Sequence, residues 1–257
     1  MTNLTAQLEA AVSITRDAAR ISFDAFATLP EVDLKADESP VTRADRETEL
    51  FIRQALERAF PDDGIYGEEY GTVRLDQDRI WVVDPIDGTK SFITGVPLFG
   101  MLLGLVKAGR PRLGIIRLPA LDTLYTGQTG VGAHKNGRAI STSRCHSLDQ
   151  ATLFINEPEK IHARQPDLFG RLCHAGRLRR MSYDCHPHAL VAEGRIDAVV
   201  DYDLKPYDFL PVAAVVEAAG GLMTDWQGKP LDFASDGCVV SAATPEVHAD
   251  LLALLNR

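Results

Sequence analysis

The sequence has few cysteines and no long apolar run, and these two absences exclude several classes of protein. Its four cysteines are scattered without metal-binding spacing, which predicts reduced thiols in a cytoplasmic protein. No apolar segment approaches the roughly 20 residues that cross a bilayer, and the longest, 98–106, is typical of a buried strand. The N-terminus carries charged residues at helical spacing and lacks the layout of a signal peptide.

Basic residues are also in short supply, with 27 Lys and Arg against 36 Asp and Glu and a formal net charge of −9. This balance argues against nucleic acid as a partner, unless the charge is very unevenly distributed. A negative protein still binds phosphate groups when bound cations invert the local field. The length of 257 residues and the 45% hydrophobic content are typical of one large globular domain or two small packed ones.

One stretch, 81–89, organises the chain and reads Trp-Val-Val-Asp-Pro-Ile-Asp-Gly-Thr. Its apolar start predicts a buried strand, and the proline after Asp84 is expected to end that strand because proline has no N–H to donate. Asp84 and Asp87 then lie three apart on a rigid turn, so their carboxylates can converge. Gly88 and Thr89 open a helical turn with free N–H groups, a natural anion site. Carboxylates for a hard cation beside amides for an anion predict metal-assisted phosphate chemistry.

Hydrophobic periodicity predicts two different halves, 1–146 and 147–257. The first half should contain two helices packed against a mostly antiparallel sheet, whereas the second alternates helices and strands and is typical of an α/β unit with a mixed sheet. We expect a site at the interface between them. In the first half the predicted helices are 4–26 and one ending before Pro61, and the strands are 65–67, 79–83, 98–107, 112–117, 123–126, 132–135 and 139–140. In the second half the predicted helices are 167–173, 188–193, 211–219 and 245–255, and the strands are 151–156, 178–181, 198–201, 222–225, 230–233 and 238–241.

Several further acidic residues have two possible interpretations. The adjacent acids Glu68 and Glu69 fit a solvated surface as well as a site. Asp208 precedes an apolar helix and Asp45 heads the second helix, so each also suits a plain N-cap. Asp84 is harder to explain as surface, because an apolar strand leads directly into it.

Together these residues resemble the inositol monophosphatase superfamily of Mg²⁺-dependent, lithium-sensitive phosphatases. The resemblance rests on Gly67-Glu68-Glu69, on the 81–89 stretch, and on Tyr207-Asp208 ahead of the apolar segment 215–221. It extends from about residue 35 to about residue 241. It implies a layered αβαβα sugar-phosphatase fold, with an α+β half at 1–146 followed by an α/β half at 147–257.

The resemblance implies a set of oxygen ligands for Mg²⁺, for which Mn²⁺ is expected to substitute. Glu68, Asp84 and the carbonyl of Ile86 would hold one ion. Asp84, Asp87 and Asp208 would hold a second, and Glu68 would help a third, looser ion. Hard oxygen ligands are what Mg²⁺ prefers.

The same resemblance assigns roles in phosphate binding and water activation. The N–H groups of Gly88 and Thr89 would bind the phosphate. The Thr89 hydroxyl and Asp45 would orient and deprotonate the attacking water. Glu69 would lie behind the metal ligands without binding the metal directly. The implied reaction is in-line attack of water on phosphorus, in which positioning and charge stabilisation dominate. An early loop is implied to close over the metals as a flap, and its candidate residues are Lys35, Asp37 and Thr42.

Two segments, 90–100 and 204–210, resemble the histidinol-phosphate phosphatase branch of the superfamily. Histidinol phosphate carries an ammonium group and an imidazole, so its pocket should offer carboxylates beyond those that hold metal. The candidates are Asp184 with its neighbour Cys185, Asp201, which aligns with the acid that contacts substrate hydroxyls in the inositol enzymes, and Asp203. Each acid also fits a solvated strand end.

One departure leaves broader specificity open. Residues 182–188 read Ser-Tyr-Asp-Cys-His-Pro-His, where this branch is expected to show Gly-Gly-Asp-Cys followed by aromatic residues. His186 and His188 fit a pocket lining or a packed helix start better than a zinc site. The rival hypotheses are another phosphatase of the superfamily, acting on inositol phosphate, a sugar bisphosphate or a nucleotide phosphate, and a metal-binding regulatory protein without turnover. The resemblance also implies a homodimer.

Overall fold

The computed structural model describes residues 4–28, 32–34 and 40–257, so the predicted flap residues Lys35 and Asp37 lie outside the described residues. The helices are α1 Leu4–Phe26, α2 Arg43–Ala59, α3 Thr89–Ile93, α4 Pro158–Arg164, α5 Pro166–Leu172, α6 His186–Ala192, α7 Pro206–Ala218 and α8 Pro245–Leu255. The strands are β1 Val32–Leu34, β2 Pro40–Thr42, β3 Gly64–Gly67, β4 Thr72–Val73, β5 Arg79–Asp87, β6 Gly100–Lys107, β7 Arg110–Leu118, β8 Thr123–Gln128, β9 Gly132–Lys135, β10 Arg138–Ile140, β11 Thr152–Asn156, β12 Leu178–Ser182, β13 Ala198–Asp201, β14 Leu222–Asp225 and β15 Val239–Ala242.

Two sheets form the body of the molecule. The larger has eight strands in the order β10-β9-β8-β7-β6-β5-β3-β4, and its pairs are antiparallel except for the parallel pair β3 and β5. The smaller has five strands in the order β12-β11-β13-β15-β14, in which β12, β11 and β13 are parallel. The predicted contrast between a mostly antiparallel sheet and a mixed sheet is therefore confirmed.

Alternation of apolar side chains along β5 separates two layers of helices. Trp81 and Val83 face α1 and α2, whereas Val82 faces the opposite side, where α6 and α7 pack. Successive residues of a strand point to opposite faces, so a strand that is apolar throughout needs cover on both sides. On the far face of the smaller sheet, Leu153 and Val200 pack against α5 and α8. The result is the layered αβαβα fold that the family resemblance implied.

The central strand is longer than predicted. The sequence predicted that it would stop at Asp84 and the following proline, but β5 continues to Asp87 with a register shift between these two aspartates. This irregularity accommodates Pro85, because a residue within a bulge need not donate to the ladder. The N–H of Ile86 donates instead to Asp84 Oδ1 at 3.0 Å.

The start of α7 was also predicted wrongly. The helix begins at Pro206 rather than Pro211, so Pro211 lies inside it. A Cβ atom on Gly104 or Gly114 would come within 3.1 Å of atoms of Pro211, so two strands of the larger sheet approach the helix very closely at this residue. Tertiary packing therefore stabilises a helix that includes an internal proline, which local sequence rules disfavour.

Other differences are small. Residues 230–233 form only an isolated bridge at Pro230 and not the predicted strand. Arg110 and Pro111 belong to β7 rather than to the turn, and α4 was not predicted. Within residues 4–28, 32–34 and 40–257, no helix combines the length and the hydrophobicity that spanning a membrane requires.

Candidate active site

Three carboxylates converge where β5 ends and α7 begins. Asp84, Asp87 and Asp208 each offer an oxygen within 4.8 Å of the others. A backbone N–H orients each side chain. The donors are Ile86 to Asp84 Oδ1 at 3.0 Å, Cys185 to Asp87 Oδ2 at 2.5 Å and Lys205 to Asp208 Oδ2 at 2.6 Å. The bulge in β5, the residue that precedes α6 and the residue that precedes α7 therefore fix the three carboxylates.

The electrostatics of this cluster favour a bound cation. Burial, followed by repulsion from Glu68, Asp87 and Asp208, raises the pKa of Asp84 well above its usual range. Burial likewise raises the pKa of Asp87 well above its usual range and that of Asp208 to about 6. Buried carboxylates this close together are unfavourable as anions unless a cation compensates them. Their all-oxygen donor set is of the kind that Mg²⁺ or Ca²⁺ accepts.

Glu68 lies beside this cluster, and Glu69 lies near Asp45. Glu68 lines the same cavity as Asp87 and Asp208, and its charge contributes to the raised pKa of Asp84. The charge of Glu69 contributes to the raised pKa of Asp45. The two adjacent acids therefore face different members of the predicted site.

One carboxylate oxygen of Asp45 bonds to the start of α2, and the other bonds to Thr89 in the site. Its Oδ2 accepts hydrogen bonds from the Thr42 N–H at 2.8 Å and the Thr42 hydroxyl at 2.6 Å, which builds a capping box at the start of α2. The Thr89 hydroxyl donates to its Oδ1 at 3.3 Å. Burial is the main cause of the raised pKa of Asp45. A carboxyl with a raised pKa is better suited to accept a proton near neutral pH.

Gly88 joins β5 to α3 in a conformation that favours glycine. Its φ of 85° is left-handed, and a Cβ atom there would lie 2.4 Å from Asp184 Cγ. The Asp184 carboxylate therefore presses against the turn that carries the predicted phosphate-binding N–H groups, and its Oδ2 accepts a hydrogen bond from Ser91 at 2.5 Å. Burial raises the pKa of Asp184 to about 6.

A cavity of about 170 Å³ opens between the two sheets at this point. Seven carboxylates and two lysines line it, so an anionic phosphate ester is repelled unless bound cations invert the field. The lining residues are Glu68, Asp87, Gly88, Thr89, Lys90, Glu157, Lys160, Asp184, Asp201, Asp203, Leu204 and Asp208. The structure thus brings together predicted site residues from both halves of the chain.

Asp201 lies on the cavity wall with a buried polar network behind it. Its Oδ2 is bonded to Asn156 Nδ2 at 2.7 Å and to His188 Nε2 at 2.9 Å, and His188 Nδ1 is bonded to Ser241 Oγ at 2.6 Å. Asn156 also donates to the carbonyl of Asp184 at 3.1 Å. His188, whose role the sequence left open, therefore anchors an acidic wall residue from within α6.

Glu157 and Lys160 are cavity residues that the sequence reasoning missed. Glu157 follows β11 directly with a left-handed φ of 47°. The Lys160 ammonium lies 2.8 Å from Glu157 Oε2 and 3.2 Å from Asp203 Oδ2. A signal was available, because Glu157 follows a predicted strand of an α/β unit, and ligands bind beyond the carboxyl ends of the parallel strands in such units.

Cys185 occupies a different position from the one expected of a substrate-contacting residue. Its side chain is buried, and its sulfur would lie 2.3 Å from a Cβ atom on Gly100. Burial raises the pKa of the thiol well above its usual range. Cys185 contributes to the site through its backbone N–H, which orients Asp87.

Comparison with known proteins agrees with this geometry. The family model described as the inositol monophosphatase family matches residues 3–257. A histidinol-phosphatase of Chlorobaculum parvum is 38% identical over 208 residues, which cover 79% of this chain and 80% of that protein. An inositol-1-monophosphatase of Rhizobium meliloti is 33% identical over 179 residues, which cover 68% of this chain and 67% of that protein. A solved inositol monophosphatase from Zymomonas mobilis superposes over the whole of both chains with a TM-score of 0.90 and 37% identity.

The layered fold and the acidic cavity between its sheets define an enzyme that hydrolyses phosphate monoesters. The chain belongs to the inositol monophosphatase family, whose members depend on metal ions. The cluster of Asp84, Asp87 and Asp208 fits that dependence.

Proposed function

We propose that this enzyme is a Mg²⁺-dependent histidinol-phosphate phosphatase, which converts L-histidinol phosphate and water to L-histidinol and phosphate. The observation that carries the proposal is the acidic wall contributed by the second half of the chain, where Glu157, Asp184, Asp201 and Asp203 all line the cavity. A leaving group with an ammonium and a basic imidazole complements such a wall. The 38% identity to a histidinol-phosphatase supports the same substrate.

Glu68, Asp84, Asp87, Asp208 and the carbonyl of Ile86 would hold the metal ions in this proposal. When bound, Mg²⁺ supplies Lewis acidity for the attacking water, the phosphoryl oxygens and the leaving group. The chain prepares the site by fixing the orientation of Asp84, Asp87 and Asp208 through backbone N–H groups. Ligands held in this way need little reorganisation on binding.

Thr89 and Asp45 would handle the proton of the attacking water. The Thr89 hydroxyl donates to Asp45 Oδ1, so its own oxygen is available to accept a hydrogen bond from water. The proton passes from water to Thr89 as the proton of Thr89 passes to Asp45 Oδ1. The capping box holds Asp45 Oδ2 in place during this transfer. The N–H groups of Gly88 and Thr89 would bind the phosphate group of the substrate during the reaction.

The test is a phosphate-release assay with a panel of substrates in Mg²⁺. We expect the highest kcat/KM for histidinol phosphate, ahead of inositol 1-phosphate, fructose 1,6-bisphosphate and adenosine 3′,5′-bisphosphate. A preference for any of the other three would make the substrate assignment wrong, and the absence of turnover on all four would refute the proposed chemistry.

A matched pair of variants locates the recognition of the leaving group. Asp203→Asn removes a charge from the cavity wall, whereas Asp232→Asn removes one from an exposed segment outside it. We expect the first to raise KM for histidinol phosphate more than KM for inositol 1-phosphate, and the second to change neither. Equal effects on both substrates would argue against a charged leaving group.

We also propose that the enzyme is a homodimer. The edge strand β12 supports this assembly, because Leu178 and Met181 are 47% and 44% exposed there, and the adjacent Tyr183 is 43% exposed. Exposed apolar residues on a sheet edge are candidates for contact with a second chain.

A further inference from the structure

Three buried charged side chains lie at four-residue intervals along α2. Asp45 and Glu49 are fully buried, and Arg53 is 7% exposed. This spacing places all three on one face of the helix. Buried charges are unfavourable unless they are paired and hydrogen-bonded, so each needs a structural reason. Asp45 belongs to the candidate active site, whereas Glu49 and Arg53 are not among its predicted residues.

The carboxylate of Glu49 binds both an arginine and a loop. Its Oε1 accepts hydrogen bonds from Arg53 Nε at 2.7 Å and from the Tyr70 N–H at 3.2 Å, and its Oε2 accepts one from the Glu69 N–H at 2.6 Å. Arg53 donates in turn to the carbonyl of Gly71. The ion pair therefore holds three backbone groups of the loop that follows β3.

Close approach at Gly67 brings this loop against the ion pair. A Cβ atom at Gly67 would lie 2.2 Å from Glu49 Oε1 and 2.6 Å from Arg53 Nη2, so a larger residue would displace the pair or the loop. The N–H of Gly67 donates to the Gly71 carbonyl at 3.0 Å, and the N–H of Glu68 donates to a carbonyl of β5 at 3.2 Å. The loop is thus held between α2 and the strand that carries Asp84.

The loop carries two predicted site residues. Glu68 lines the cavity, and Glu69 lies close enough to Asp45 to affect its ionisation. A shift of the loop would move both carboxylates relative to Asp84 and Asp45. The opposite charges of Glu49 and Arg53 compensate each other, so the pair holds the loop without adding net charge to an acidic site.

We infer that Glu49, together with Arg53, is a positioning residue that holds Glu68 and Glu69 in place for metal binding. This inference rests on the proposed metal-dependent function. Glu49 reaches the metal site only through the backbone of the loop, so it acts on metal affinity without contacting substrate. Outer residues that orient metal ligands typically change metal affinity by about 10- to 100-fold when they are substituted.

The test is calorimetric titration of Mg²⁺ into the substrate-free enzyme. We expect Glu49→Gln to raise the Mg²⁺ dissociation constant by about 10-fold or more. Glu49→Asp keeps the charge beside Arg53 but shortens the side chain, so it should also raise the constant. The matched control is Glu47→Gln, which removes an exposed charge from the same helix and should leave the constant unchanged.

The possible outcomes separate this inference from the proposed function. A wild-type enzyme that binds no Mg²⁺ refutes the proposed function. Wild-type binding with an unchanged constant in a folded Glu49 variant overturns the positioning role, and so does an equal weakening by Glu47→Gln. Thermal melting in EDTA monitors folding, and if Glu49→Gln does not fold, Glu49→Asp decides. Failure of both variants to fold also overturns the inference, because the pair would then stabilise the whole fold and not the loop.

Discussion

Asp45 shows how one residue satisfies two interpretations of its sequence position. As the third residue of α2 it closes a capping box with Thr42, which is the structural role that its position at a helix start allows. Its second oxygen faces Thr89, which belongs to the predicted catalytic set. Local sequence cannot separate the two roles, because both require a carboxylate at the start of a helix. The 44-residue separation between Asp45 and Thr89 is closed only by the fold.

The first prediction at this scale concerns Asp84, which lies at the centre of the acidic cluster. Asp84→Asn should lower kcat/KM by several powers of ten, because an amide is a much poorer ligand for a hard cation than a carboxylate. The measurement is Mg²⁺-dependent phosphate release. Asp62→Asn, in an exposed turn, is the control and should retain wild-type activity. Full Mg²⁺-dependent turnover in Asp84→Asn would refute the assignment of Asp84 as a ligand.

A second prediction at the residue scale concerns Lys160, which partly neutralises the cavity wall between Glu157 and Asp203. Lys160→Ala should raise the ratio of kcat/KM for histidinol phosphate to kcat/KM for fructose 1,6-bisphosphate by about fivefold. The reason is that one ionic interaction at a partly exposed site contributes about 1 kcal/mol, which corresponds to that factor. Lys205→Ala is the control, because Lys205 lies 3.7 Å from the same Asp203 but does not line the cavity. An unchanged ratio, or an equal shift in both variants, would show that Lys160 does not control charge preference.

At the scale of elements, Asp208 lies in the first turn of α7, where burial disfavours its charged form. The pKa of Asp208 is raised from its ordinary value of 3.8 to about 6. A carboxyl with a raised pKa contributes stability below its unfolded pKa, and that contribution is lost as the pH rises through the folded pKa. Ionised Asp208 therefore destabilises the metal-free protein above about pH 6, and the loss develops between pH 4 and pH 6.

Asp208→Asn should accordingly stabilise the metal-free protein at pH 7.5 by about 1–3 kcal/mol, with a smaller gain at pH 4.5. The amide oxygen can still accept the Lys205 N–H, so the helix start is preserved. Urea denaturation in EDTA at the two pH values measures the difference. The control is Asp167→Asn, an exposed acid in the first turn of α5, which should give no such gain. A variant less stable than wild type at pH 7.5 in EDTA would contradict the prediction.

At the scale of the whole molecule, the site depends on the meeting of two sheets. Strand β5 of the eight-stranded sheet ends at Asp87, which lines the cavity. The ends of β11, β12 and β13 in the five-stranded sheet point towards the same cavity. The division at residues 146 and 147 remains a proposal. Helix α7 follows β13 of the smaller sheet in sequence but packs on the larger sheet. It carries Asp208 to Asp84 and Asp87, so neither half completes the site alone.

The proposed homodimer gives a prediction at this scale. Met181→Asp replaces one of the two exposed apolar residues of edge strand β12 with a charge and should convert the dimer to a monomer in sedimentation velocity, because burying an unpaired charge is costly. Val131→Asp is the control, since Val131 is 64% exposed in the turn between β8 and β9, which belong to the larger sheet and not to the sheet that contains β12. A wild-type monomer would refute the dimer itself, and a dimeric Met181→Asp variant would exclude β12 as its interface.

The sequence by itself determined the fold class, the order of most elements and the chemistry. Periodicity identified α1 and α2, because an amphipathic helix shows its buried face in the spacing of its apolar residues, and Thr244-Pro245 marked the start of α8. The motif around Asp84 and Asp87 identified the carboxylates, because they are only three residues apart and follow an apolar strand. Local patterns carry this information because it depends only on neighbours in the chain.

Only the tertiary structure decided what depends on residues distant in sequence. It showed that β5 continues past Pro85 through a bulge and that α7 includes Pro211, because packing against other elements outweighs local propensity. It brought Glu157 and Lys160 to the cavity, and it revealed that Glu49 holds the loop of Glu68. These contacts join chain segments that are not neighbours in the sequence. No local pattern contains them, which is why the reaction could be predicted from the sequence more fully than the cavity wall that we propose selects the substrate.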